Sequence, residues 1–298
     1  MGSVTTMIGT FAKNLEFNSP LNSWDVSKVE SFIDLFWRAT AFNQPLDSWS
    51  TGSVTSMSYM FYYAESFNQP LDSWSTGSVT SMYYMFADAT AFNQPLDSWS
   101  TGNVVDMDVM FYYATAFNQP LDNWSTGSVT SMDWMFEGAT AFNQPLDSWS
   151  TSNVTSMSYM FADATAFNQP LDSWSTGSVT SMYSMFEGAT AFNQPLDSWS
   201  TGNVTYMDWM FYDSPMNQDL SSWCVVKITS EPDDFGNNNG TNPVWGSCPS
   251  AAPSDAPSAA PSDAPSSNPT SSSSEGLVIG PSIGAGALVI FIALAWFP

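Results

Sequence analysis

Seven aspartates, Asp47, Asp72, Asp97, Asp122, Asp147, Asp172 and Asp197, recur every 25 residues along this chain. If successive copies pair in register, these side chains stack about 5 Å apart, and like charges directly opposite one another across a sheet are destabilising. Folding alone does not explain such a row. Hard cations take several carboxylate oxygens, so one reading is a linear track for calcium or for a polyol. The other is that each Asp bonds a nearby backbone group and caps the bend that follows it. Calcium is the only cofactor that these residues suggest.

A second constellation is aromatic. Numbering each copy from a recurrent Phe as position 0 (Phe42, Phe67, Phe92 and onward), most positions are copied from unit to unit, whereas positions 16, 17, 20 and 21 vary. They hold Ser58, Tyr59, Tyr62 and Tyr63 in one unit, Asp108, Val109, Tyr112 and Tyr113 in another, and Asp133, Trp134, Glu137 and Gly138 in a third. Across the chain they supply Tyr59, Tyr62, Tyr63, Tyr84, Tyr112, Tyr113, Trp134, Tyr159 and Trp209, interleaved with acids. Outward-facing Tyr and Trp hold sugars and protein partners through an apolar ring and a polar tip. Neutral drift on a solvated face accounts for the same variation.

Composition narrows the chemistry. Among 298 residues, 28 Asp and Glu stand against 4 Lys and Arg, there is no His, and the net charge is −24. With 43% hydrophobic and 15% aromatic residues the chain is too apolar to be a disordered acidic one. The absence of His removes the commonest general base and metal ligand, and two Cys cannot build a four-thiolate zinc site. Lys13, Lys28, Arg38 and Lys227 make no basic stripe, so nucleic acid is excluded as a partner. A glycosidase needs two carboxylates in unlike environments, which a row of equivalent aspartates does not offer. No enzymatic activity is expected.

The units must be built from elements that repeat with them. Val54, Met57, Met60, Phe61 and Ala64 follow the spacing of one helical face, so the spacing predicts an amphipathic helix over Val54 to Ala64, started by Thr51 or Gly52, in each unit. Met and Phe at these positions read as core. The short segment Leu71 to Trp74 and its equivalents is expected to form one parallel strand per turn, although Pro70 before it donates no ladder hydrogen bond. The Asn at position 1 (Asn43, Asn68, Asn93 and onward) is expected to form a ladder that bonds backbone groups between turns. The fold class that follows is an α/β solenoid with one short strand and one helix per 25-residue turn.

The pattern Val-x-x-Met-x-x-Met-Phe-x-x-Ala-x-x-Phe-Asn-Gln-Pro-Leu-x-x-Trp, as in Val54 to Trp74, resembles the short repeat of BspA-like leucine-rich-repeat surface proteins. The likeness covers Gly2 to about Ser230, and Pro243 to Pro249 is similar to the way such arrays close. The resemblance implies a curved, leucine-rich-repeat-like solenoid on a cell surface, with adhesion or recognition as its role and no catalytic residues.

The domains read as a repeat array over 1–230, a C-terminal cap over 231–248, a Ser/Pro/Ala stalk over 249–276 and an apolar segment over 277–298. The array begins inside a unit, since Gly2-Ser3-Val4-Thr5 aligns with Gly52-Ser53-Val54-Thr55, so an upstream N-terminus with a secretion signal is expected. Cys224 and Cys248 bracket the worn last unit, and a disulfide between them suits an oxidising compartment. Glycosylation sequons occur at Asn123, Asn153, Asn203 and Asn239. The stalk is expected to be disordered, and Leu277 to Pro298 carries no charge and is long enough to span a bilayer as a helix. Its order after a small polar spacer, with no Lys or Arg following, is the layout of a GPI-anchor signal, and a single transmembrane helix has the same apolar length. The expected function is a membrane-anchored, extracellular adhesion or recognition module for a glycan or protein. The alternative is a wall or matrix spacer without a specific ligand.

Overall fold

The computed structural model describes residues 4–237 and 239–249. Among them there is neither an α-helix nor an extended strand, and this overturns the α/β architecture with one helix and one strand per turn. Each 25-residue unit is instead a coil of tight turns, laid against the next unit through a single parallel bridge at position 14, as in Ser31 to Ser56 to Ser81.

The segment expected to be helical shows how the backbone is satisfied without a helix. The N–H groups of Met57, Tyr59, Phe61 and Tyr63 cross to the carbonyls of Ser81, Tyr83, Met85 and Ala87 in the next unit, at 2.8–3.1 Å. The intervening N–H groups of Met60, Tyr62 and Ala64 turn back to Met57, Tyr59 and Phe61, three residues earlier. A helix would send every one of them four residues back. The alternation requires left-handed backbone at Tyr59 and Tyr63 (φ +59° for both), which breaks a helix wherever it occurs. Val54, Met57, Met60, Phe61 and Ala64 are nevertheless fully buried, so the spacing marked the inward face correctly and the secondary structure wrongly.

The segment expected to be a strand is a turn. The N–H of Trp74 closes onto the Leu71 carbonyl at 3.1 Å, and the indole Nε1 donates to the carbonyl of Leu46 in the preceding unit at 3.0 Å. Pro70 lies just ahead of this turn, where no ladder donor is required. Thr51, read as a helix cap, is buried and donates its hydroxyl forward to the Ser75 carbonyl at 3.0 Å.

The asparagine ladder is present. Asn43 Oδ1 accepts the backbone N–H of Asn68 at 3.0 Å and the side-chain amide of Gln69 at 2.9 Å, and the same pair of bonds recurs from unit to unit as far as Asn193. Between the polar ladders run three aromatic columns. Phe at position 0, Phe at position 19 and Trp at position 7 each meet their counterpart in the next unit nearly parallel. Examples are Phe67 on Phe92 at 6.0 Å and 7°, Phe61 on Phe86 at 5.6 Å and 5°, and Trp74 on Trp99 at 6.5 Å and 1°. The two Phe columns also pack on each other, Phe61 on Phe67 at 4.0 Å. Offset parallel rings are a favoured geometry, and each buried Met or Phe contributes about 1.5–3 kcal/mol.

At the C-terminal end Phe235 turns edge-on to Phe211, Trp223 and Trp245. Gly236 follows at φ +87°, where a Cβ would press on the Phe211 carbonyl. Thr241 and Ser247 pair with Leu220 and Val225, and a disulfide joins Cys224 to Cys248 with a Cα separation of 4.0 Å. The greater part of the stalk and the whole apolar segment over 277–298 lie outside the described residues. No helix among the described residues is long and apolar enough to cross a membrane.

The polar ladder makes a direct prediction. Asn118→Ala leaves the Asn143 N–H without its acceptor and the Gln144 amide with only its longer bond, at 3.2 Å, to the Asn118 backbone carbonyl, and is expected to lower stability by about 1–3 kcal/mol in urea unfolding. Asp122→Ala, four residues away on an exposed turn, is expected to stay within about 0.5 kcal/mol of the parent. Equal effects would show that the ladder is not what holds the units.

Candidate functional site

The aspartate row is exposed along its whole length. Among the described residues only Asp47 has a side-chain partner, the Asn22 amide at 2.9 Å. The carboxylates of Asp72, Asp97, Asp122, Asp147, Asp172 and Asp197 make no local capping bond. It is the backbone carbonyls that are engaged, Ser73 donating to Asp47, Ser98 to Asp72 and Ser148 to Asp122 at 2.7–2.8 Å. Asp25 and Asp219, outside the row, do cap the N–H groups of Ser27 and Ser221. Among the described residues no three acidic or thiol side chains converge as a metal-binding group.

The sequons fall on the surface. Asn153 and Asn203 already donate their amides to the carbonyls of Gly127 and Gly177 at 2.7 Å, and Lys227 donates to the Asn203 oxygen. Asn123 and Asn239 are exposed.

The variable aromatic positions are brought together. Tyr59 stacks on Tyr84 at 4.9 Å, Tyr62 meets Tyr84 edge-on at 5.2 Å and touches Tyr63 at 4.5 Å, Tyr112 packs on Tyr113 at 4.6 Å, and Trp134 stacks on Tyr159 at 5.4 Å. Tyr83, Tyr183 and Trp37, absent from the sequence-based set, join the same face through Tyr59, Tyr159 and Tyr62. They occupy positions 16 and 20 in other copies, so the register alone could have found them. Trp209 contacts Tyr212 further along. Most of these rings are half-buried against one another, while Tyr113 and Trp134 are 37% and 38% exposed. Val109, in the same column, is buried.

The backbone beneath this face is unusual. Except for Asp234, every non-glycine residue with positive φ among those described lies at position 17 or 21. Tyr59, Tyr84, Val109, Trp134, Tyr159 and Trp209 hold position 17 in this way. Left-handed backbone at a bulky residue costs on the order of 1 kcal/mol, and glycine at the same site costs nothing sterically. Glycine is used at Gly138, where a Cβ would meet the Tyr113 ring at 2.8 Å.

Acids sit among these rings. Burial pushes the Asp88 carboxyl up to about 6, with Glu65 nearby adding to the rise, and pushes Glu137 up to about 7, with Asp163 and Glu187 adding. Asp108 is raised to about 6, again mainly by burial. Burial and then the charge of Glu137 bring the Tyr112 hydroxyl to about 12. Asp88 Oδ2 and Glu137 Oε2 are buried and have no hydrogen-bond partner among the described residues.

The family model described as Mycoplasma protein of unknown function, DUF285, matches three overlapping segments, residues 1–69, 45–149 and 130–245. The chain belongs to the DUF285 family. Overlapping matches along the array agree with its repeated units. No curated protein matches the chain.

The shifted acids give a pH dependence of stability. Their folded values lie above the unfolded ones of about 3.9 for Asp and 4.3 for Glu, so the folded state binds their protons more tightly. Their contribution is complete below about pH 4 and is lost as pH rises through the folded values, about 6 for Asp88 and about 7 for Glu137. Thermal unfolding is therefore expected at a higher temperature at pH 5 than at pH 8. Asp88→Asn with Glu137→Gln is expected to shrink that difference by on the order of 1 kcal/mol per site, after allowance for partial solvent exposure. An unchanged pH profile in the double variant would contradict the assignment.

Proposed function

We propose that this DUF285 chain is a non-enzymatic, cell-surface recognition module that holds an extracellular protein or glycan on the face formed by positions 16, 17, 20 and 21. The observation that carries this reading is the placement of Tyr59, Tyr84, Trp134, Tyr159 and Trp209 at left-handed backbone positions where glycine is sterically free. Elsewhere the unit repeats the same residues because each one serves the stack. Here side chains differ between copies and large rings are kept at a conformational cost, a combination suited to a binding surface.

The likeness of the repeat to BspA-like surface proteins supports an extracellular setting, without the helix-and-strand unit of leucine-rich repeats. The Ser/Pro/Ala stretch over 249–276 and the uncharged Leu277 to Pro298 fit a stalk and a membrane anchor of GPI or single-helix type. The Cys224–Cys248 disulfide fits an oxidising compartment.

The test is a screen of the full chain against glycan and extracellular-protein arrays, repeated with two variants. Tyr62→Ser, Tyr84→Ser, Tyr112→Ser and Trp134→Ser together are expected to weaken a bound ligand at least about tenfold while the fold persists, since good hot-spot residues each carry about 1–2 kcal/mol or more. Asp72→Asn, Asp97→Asn and Asp122→Asn together are expected to leave it bound. A ligand indifferent to the aromatic changes, or no ligand at all, would favour the spacer.

A further inference from the structure

The aromatic face contains a cleft of about 250 Å³, lined by Tyr62, Tyr63, Tyr84, Val109, Tyr112 and Trp134. At position 20, Ala87 stands in register between Tyr62 and Tyr112 and is itself fully buried. Two acids lie beside it in register: Asp88 follows Tyr63 at position 21 and donates its backbone N–H to the Tyr112 carbonyl at 2.7 Å, and Glu137 follows Tyr112 at position 20. Each keeps one buried carboxylate oxygen without a partner among the described residues.

The same face shows what such rings accept. Lys13 Nζ lies 4.4 Å from the Trp37 ring centre, and the Arg38 guanidinium lies 5.1 Å from the Tyr63 ring and 5.9 Å from Trp37. Both cations stand at position 21 and reach the rings of the following unit. Beyond Arg38, position 21 is filled by Tyr63, Asp88, Tyr113, Gly138, Asp163, Gly188 and Asp213, so Arg38 covers Tyr63 at the edge of the cleft and, among the described residues, no Lys or Arg lies over Tyr62, Tyr84 or Tyr112. Lys227 donates to Asn203 instead. Rings that attract a cation by their quadrupole, carboxylate oxygens lacking donors and a net charge of −24 all favour one kind of guest.

We propose that this cleft receives the lysine or arginine side chain of a basic polypeptide, with the cation held over Tyr62, Tyr84 and Tyr112 and hydrogen-bonded to Asp88 and Glu137. The inference rests on the recognition reading above and names its ligand class. A neutral sugar would use the rings but would leave the charge of the two acids uncompensated.

The test is titration of the full chain with a short oligo-arginine peptide and with its citrulline counterpart, which keeps the shape and lacks the charge. The arginine peptide is expected to bind at least tenfold more tightly. Ala87→Tyr adds, between Tyr62 and Tyr112, the ring that the units before and after carry at the same position, and leaves the net charge unchanged. It is expected to weaken arginine-peptide binding at least tenfold, as is Asp88→Asn with Glu137→Gln. Binding that Ala87→Tyr does not weaken would reduce the effect to general attraction by an acidic surface and overturn the proposal. A neutral oligosaccharide that binds and is blocked by Ala87→Tyr would overturn the cationic ligand while leaving the recognition reading standing. No binding of either peptide, with no array ligand on this face, would sink both.

Discussion

The hydrogen bond from one unit to the next is the constraint from which the rest of the structure follows. A chain that turns every few residues cannot satisfy its own N–H and C=O groups locally, and an unpaired buried backbone group is costly. Here Met57, Tyr59, Phe61 and Tyr63 send their N–H groups forward, Thr51 donates its hydroxyl forward, and Asn43 receives a backbone N–H from the unit after it. Ser73 and Trp74 donate backward to the carbonyls of Asp47 and Leu46. Each of these residues needs a neighbour in the same register, which is why Phe-Asn-Gln-Pro-Leu-Asp-Ser-Trp is copied almost unchanged. Stability in such an array is a sum of intrinsic terms and interfaces between nearest neighbours, and the parallel Phe and Trp columns supply the apolar part of each interface.

The inward face was legible because burial leaves a periodic trace whatever the backbone does. Met57, Met60, Phe61 and Ala64 point inward from chained turns as they would from a helix. What the sequence hid was the backbone state. Positive φ is signalled by Gly, Asn or Asp, and positions 17 and 21 do carry Gly9, Gly138 and Gly188 together with Asp34, Asp88 and Asp163. That signal was masked by Tyr59, Val109 and Trp134, which rarely adopt such backbone. Pro70 was the other warning, and the structure follows it: the segment after it is a turn.

The same masking separates the two candidate rows. Position 5 carries an exposed aspartate in the seven units from Asp47 to Asp197, its backbone carbonyl serving the stack, as Asp72 does for Ser98. Positions 16, 17, 20 and 21 carry residues that differ between units, meet one another in pairs, and enclose acids whose protonation burial has altered. Repetition identified the first row, but variation against a repeated background identified the second, and the ring contacts join Tyr83, Tyr183 and Trp37, which hold the same variable positions in other units, to it.

The central claim is that the array is held by cross-unit bonds from chained turns, with no helix in any unit. Far-ultraviolet circular dichroism of the folded full-length chain, with amide I infrared absorption on the same sample, tests this most directly. The structure predicts no helical double minimum from the array and an amide I band dominated by turns. A helical signal matching the eleven residues from Val54 to Ala64 in every 25-residue unit would contradict it.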